Sequence, residues 1–216
     1  MPIAAFFFFD PLEWVFGVIA LIIALTYLRK HNRQSWFYLF CFSMFWLYVL
    51  ALLNATIFPL PEFRYVNANE RQFWTTLTFS NINLIPFNYG EFSSFGYVFP
   101  EITSNIILTI PFGFGLSFIA RFKAKDFFWI GLALGLIIEL TQLAIGLIYA
   151  TSFRVVDVND ILWNTTGIWL GYFLFRVFSW LYLAVYNRFS IKRNWLSGFI
   201  YDVTIQTQGI GRLKNA

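Results

Sequence analysis

The chain is short of charge. Only 12% of its 216 residues are Asp, Glu, Lys or Arg, about half of the ~25% usual in soluble domains, so there is little to clothe a water-facing surface. It has one cysteine, Cys41, and one histidine, His31. A single thiol excludes an internal disulfide and a cysteine-built metal cluster. A lone histidine in a basic connection leaves no Ser–His or Cys–His pair for nucleophilic catalysis. No glycine-rich phosphate loop is present, which argues against a nucleotide site. No internal repeat is visible. The start, Met1 to Asp10, has no basic leader and no small-residue cleavage site after it, so the first apolar segment is expected to be retained.

What the chain has instead is hydrocarbon. Hydrophobic residues make up 59%, and aromatics 23%, with 29 Phe and 9 Trp, a composition that suits lipid-facing helices and interfacial belts. Five apolar segments approach the ~17–25 residues a spanning helix needs, at about 12–28, 36–60, 98–120, 127–149 and 160–186. A β-barrel would show short alternating segments instead. The expected fold is an all-α membrane protein, a multi-pass bundle of five transmembrane helices in the cell membrane. One domain covers residues 1–186, followed by a basic cytoplasmic tail over 187–216.

The net charge of +4 does not point to nucleic acid, because the charges flank the apolar segments. Eleven of the 15 Lys and Arg, among them Arg29, Lys30, Arg121, Lys123, Arg188 and Lys192, fall on one side; Arg64, Arg71 and Arg154 fall on the other. The excess marks the cytoplasmic side, so the N-terminus is expected outside and the C-terminus inside. Arg176 lies within the fifth segment and reads as a snorkelling cation. The long outer connection, 61–97, contains an apolar and polar stretch from Asn81 to Asn88, where Pro86 discourages a regular helix.

Charged groups at membrane depth cost about 2.5–3.5 kcal/mol each, so each needs a reason. At 100° per residue, Gly131, Gly135, Glu139, Gln142 and Gly146 share one face of the fourth segment. Asp157, Asp160, Asn164, Gly167 and Gly171 share one face of the fifth. Glycines allow close approach and polar side chains seek partners on neighbouring helices, so both stripes are expected to face the bundle interior and each other. Helix rise puts Gln142 and Glu139 ~11 and ~16 Å below the outer end of their helix. Asp160 and Asn164 lie within ~6 Å of theirs. Glu139 then sits level with Gly171, at the floor of a polar funnel open to the outside. Asn105 and Thr109 supply a third wall, and Pro111 with Gly113 and Gly115 predicts a kink. Each polar residue also has a plainer reading. Asn105, Gln142 and Asn164 serve as interhelical glue, Asp157 and Asp160 as helix caps, and Arg154 as an interfacial charge.

Four motifs, in order, resemble the VanZ-like family of membrane proteins. They are Asn83-Leu-Ile-Pro-Phe87; Asn105 through Pro111 to Gly113; Glu139-Leu-Thr-Gln142; and Arg154, Asp157, Asp160, Asn164, Gly167 and Gly171 at their spacing. The resemblance covers about residues 81–172 and implies a role at the cell envelope, with glycopeptide (teicoplanin) resistance an attribute of the family's namesake. The leading expectation is a non-enzymatic protein. It would bind a lipid-linked or amphiphilic molecule through Asn83, Asn105, Glu139, Gln142, Arg154, Asp157, Asp160 and Asn164. A second is an enzyme acting on a lipid headgroup or a lipid-linked cell-wall precursor, with Glu139, Asp157 and Asp160 as catalytic candidates and a divalent cation as an optional cofactor. A third is a small proton-coupled transporter or flippase working through Glu139. An assembly role for other membrane proteins is a further reading. The bilayer itself is the one partner common to all.

Overall fold

The computed structural model describes residues 11–58, 60–61, 67–80, 82–89, 94–151 and 156–208. They form seven α-helices: α1 (Pro11–Lys30), α2 (Trp36–Thr56), α3 (Ala68–Ser80), α4 (Phe95–Ile119), α5 (Ala124–Tyr149), α6 (Val158–Arg188) and α7 (Trp195–Gln208). Among the described residues α2, α4, α5 and α6 are each long and apolar enough to cross a membrane. The only β-type pairing among them is one isolated bridge, between Asn83 and Asp157.

Local chemistry sets the helix ends. The Ser35 hydroxyl accepts the Tyr38 amide at 3.2 Å and caps α2. At the head of α5 the Asp126 carboxylate accepts the Lys123 amide at 2.8 Å; its last turn closes on Ala150 in the left-handed region. Asp157 caps α6, its side chain accepting the Asn159 amide at 2.7 Å. Free N–H groups at a helix start need such acceptors.

The centre is α4 against α6, with α5 on α6 and α2 on α4. Asn105 lies beside Asp160 and Thr109 beside Asn164, so α4 and α6 run parallel and in step. Their backbones meet through glycine. A Cβ on Gly113 would strike the Ile168 carbonyl, one on Gly171 the Ile110 carbonyl, and one on Gly167 the Thr109 hydroxyl and Ile106 carbonyl. Gly167 and Gly171 thus face α4, not α5. The glycines of α5 abut α6 at other residues: a Cβ on Gly131 would come to 2.9 Å from Cα of Thr165, and one on Gly135 equally close to Cα of Ile161. The α5 stripe is buried along its length, from Gly131 to Gly146, but it meets the face of α6 next to the glycine stripe. Further along, Phe127 stacks on Tyr172 at 4.4 Å beside the fully buried Ile168. α1 leans on α2 through Gly17 and Leu50, with the Trp46 indole donating to the Gly17 carbonyl at 3.0 Å.

Two helices fall where the sequence suggested none. α3 lies in the long 61–97 connection, ahead of the non-helical stretch around Pro86, and is opened by a reciprocal cap between Asn67 and Glu70 at 2.9 and 3.1 Å. α7 lies in the tail, packed on α6 and α2. Both are too short to register as spans. α7 supplies a partner for Arg176: its guanidinium donates to the Thr207 carbonyl at 2.9 Å, in the last turn of α7, where a helix gathers partial negative charge.

Gly171→Ala is expected to cost about 1–3 kcal/mol through forced separation of α4 and α6, seen as a lower melting temperature in detergent. Gly96→Ala, with nothing within 4 Å of the added carbon, should leave that temperature nearly unchanged.

Candidate functional site

The N-terminus of α6 gathers polar groups from three other segments. The Asp157 amide donates to Glu139 Oε2 at 2.9 Å, joining α6 to the middle of α5. The Asp157 carboxylate caps its own helix and accepts Asn83 Nδ2 at 3.0 and 3.1 Å. Two carboxylates therefore share the positive end of the α6 dipole.

Residues 82–89 are strapped over this helix start. Asn83 pairs with both sides of Asp157, its amide donating to the Val156 carbonyl at 2.9 Å and its carbonyl accepting the Val158 amide at 3.0 Å. Asn159 is wholly buried and reads the loop's other end. Its Oδ1 accepts the Phe87 amide at 2.6 Å and its Nδ2 donates to the Asn88 carbonyl at 3.2 Å. Phe87 takes a left-handed turn, φ 62°. The loop's tip points away from these bonds: Leu84, Ile85 and Phe87 are 72%, 63% and 67% exposed.

The level of this cluster corrects the expected depths. Glu139 lies beside Asp157, not beside Gly171, an offset of fourteen residues or about 21 Å of helix. The contacts Gly131–Thr165, Gly135–Ile161 and Glu139–Asp157 form one antiparallel register. α5 continues ~15 Å past Glu139 to Tyr149, so α6 begins about that far from the end of α5. Asp157 and Asp160 are therefore as deep as Glu139. The cluster is one polar layer rather than a funnel with an acid at its floor.

On the α4 side Asn105 Nδ2 donates to Asp160 Oδ1. One turn on, the Thr109 hydroxyl donates to the Asn164 carbonyl at 3.0 Å. Asn83, Asn105, Glu139, Asp157 and Asp160 are thus brought together, with Asn164 next in line. The Asn164 side-chain oxygen is buried with no hydrogen-bond partner, as is that of Asn54 on α2. Gln142 turns to α2 instead, donating to the Thr56 carbonyl at 2.9 Å. Arg154 lies outside the described residues. Among those described, no group of three or more His, Cys, Asp or Glu is arranged to hold a metal ion.

Two residues of the layer escaped the sequence reading. Asn159 does not fall on the stripe of Asp157, Asp160 and Asn164, because it acts through the turn that starts the helix. Glu101 lies within electrostatic reach of Asp157. Its signal was available: Glu101, Asn105 and Thr109 follow at intervals of four, one face of α4. Chemically the layer presents carboxylate and amide oxygens, acceptors for hydroxyl or ammonium donors.

Asn159→Ala should free the strap. Hydrogen exchange at the Phe87 amide is expected to accelerate about tenfold, the loss of a buried bond of ~1–2 kcal/mol, while exchange in α5 stays unchanged.

The family model described as VanZ/LLP1 matches residues 45–180, from within α2 to within α6, including the strap and every residue of the polar layer. Neither the curated proteins nor the solved structures yield a match. With well over half of its length matched, the chain belongs to the VanZ/LLP1 family.

Proposed function

We propose that this VanZ-like membrane protein binds a lipid-linked or amphiphilic molecule at the cell envelope through the polar layer at the start of α6. The observation that carries this reading is the pairing of two surfaces. Carboxylates and amides of Asn83, Asn105, Glu139, Asp157 and Asp160 lie together, and beside them the strap holds out the apolar side chains of Leu84, Ile85 and Phe87. A molecule with a donor-rich head and a hydrocarbon tail matches both. An acyl-bearing glycopeptide such as teicoplanin belongs to that class, and so does a lipid-linked cell-wall precursor.

In this reading α1 is a fifth span, the N-terminus lies outside, and the strap and α3 are on the outer side. The side of α4–α5 and α7, with Arg121, Lys123, Lys125 and Lys192, faces the cytoplasm, in keeping with the bias of Lys and Arg. Arg154, three residues before Asp157, is placed by sequence to meet a phosphate or carboxylate of the ligand.

Purified protein in discs of zwitterionic phospholipid, offered polyprenyl-linked cell-wall precursors and teicoplanin, should retain one of the two with its mass unchanged. Asp160→Asn should abolish retention while inserting normally. A changed headgroup mass would replace binding with catalysis; lipid movement or proton uptake lost in Glu139→Gln would replace it with transport. Topology is read separately in a Cys41→Ser background. A membrane-impermeant maleimide should label Asn69→Cys in intact cells and spare Lys192→Cys, and the reverse pattern inverts the assignment.

A further inference from the structure

At the opposite end of the bundle from the strap, a cleft of about 530 Å³ opens where α4 ends and α5 begins. None of the polar-layer residues lines it. Tyr172, on its wall, lies fifteen residues along α6 from Asp157, ~22 Å away. Its volume falls within the range of small-molecule and cofactor sites.

The walls are aromatic and the mouth is polar. Tyr38, Phe118, Phe127, Tyr172 and Phe199 line it from α2, α4, α5, α6 and α7. The ring of Phe127 is fixed by its stack on Tyr172, and Tyr38 is held by a hydrogen bond from its hydroxyl to the Ile119 carbonyl at 3.3 Å. At the mouth stand Arg121, Gln34 and Gln206, a guanidinium and two amides able to donate. One carboxylate also lines the cleft, Asp202, and it is already neutralised: Arg193 Nη2 grips both its oxygens at 2.7 and 2.6 Å. Among the described residues Arg121 has no ion-pair partner, since Asp202 is engaged by Arg193. Exposed Arg33, Lys123 and Lys125 follow or precede the lining segments in sequence and add to the positive field. Exposed Trp36 and Trp195, 71% and 73% accessible, lie at the ends of α2 and α7 near this end, as interfacial anchors do.

We propose that this cleft is a second, separate site, which takes the anionic phosphate headgroup of a membrane phospholipid with Arg121 as its charged contact and α7 as its outer wall. A guanidinium beside amide donors recognises phosphate through several hydrogen bonds at once. The aromatic walls accommodate the glycerol and first acyl carbons, which a free phosphate lacks. Under the topology proposed above this is the cytoplasmic leaflet, whose anionic lipids such basic sites select; the binding itself does not depend on that orientation.

The test is native mass spectrometry of the full-length protein in detergent, titrated with dioleoylphosphatidylglycerol, dioleoylphosphatidylcholine or inorganic phosphate. One anionic lipid should be retained at least about tenfold more tightly than the zwitterionic one, the scale of one charge-assisted hydrogen bond. Arg121→Gln should remove that margin. Gln206→Trp, at an exposed position on α7, should block the cleft without touching a charge, with the melting temperature unchanged. Asp160→Asn should retain the lipid as wild type does, which keeps this site distinguishable from the polar layer. Unchanged retention in either cleft variant overturns the proposal, as do equal affinities for the two lipids, or displacement by inorganic phosphate at concentrations matching the lipid.

Discussion

The hydrogen bond from the Asp157 amide to the Glu139 carboxylate decides where α6 starts, and the other contacts of the bundle follow from that level. A helix that begins among apolar neighbours leaves its first amides without partners and without water to replace them. Here the acceptors come from the protein: Glu139 from α5, the Asp157 side chain, and the carbonyls and side chains of the strapped loop. With Glu139 seated, Gly135 and Gly131 meet Ile161 and Thr165 on one side. On another side Asn105 and Thr109 meet Asp160 and Asn164. Polar contacts set the register of the three central helices, and glycines set how near they come.

The same arrangement shapes what the layer can receive. A helix N-terminus ordinarily attracts an anion, but at α6 the protein's own carboxylates already occupy that place. The layer is therefore rich in acceptors, and beside it lies the exposed apolar tip of the strap. This is why the proposed ligand has donors on its head, and why its hydrocarbon part belongs with Leu84, Ile85 and Phe87. The orphaned oxygen of Asn164, one turn further along, is a buried acceptor beneath the layer.

The two ends of the bundle differ in kind. One carries a loop tied down by backbone and amide hydrogen bonds over the half-buried Asp157 and the buried Glu139. The other carries α7, held by Arg176 on the Thr207 carbonyl and by Tyr182 on the Ser197 carbonyl at 2.9 Å, with an aromatic cleft beneath it. The two proposed sites share no residue, and the fully buried Ile168 lies between them on α6.

Much of the fold was legible in residue order alone. Apolar runs located α1, α2, α4, α5 and α6 to within a few residues, because burial of hydrocarbon needs a minimum length. The 100° repeat placed Gly131, Gly135, Glu139, Gln142 and Gly146 on one buried face, because helix geometry is local. The motifs from Asn83 to Gly171 carried the family. α3 and α7 were not legible as helices, since each draws its stability from caps and from packing on its neighbours rather than from a long apolar run. Glu101 was legible by its spacing from Asn105 and passed over, being near a helix end where a charge is cheap. The vertical offset between α5 and α6 belonged to tertiary structure alone. Periodicity says which side of a helix faces inward but nothing of how far one helix slides along another. A connection long enough to turn back lets α6 start beside Glu139 or far above it. The choice was made by the need of the Asp157 amide for an acceptor, and only the folded chain brings the two together.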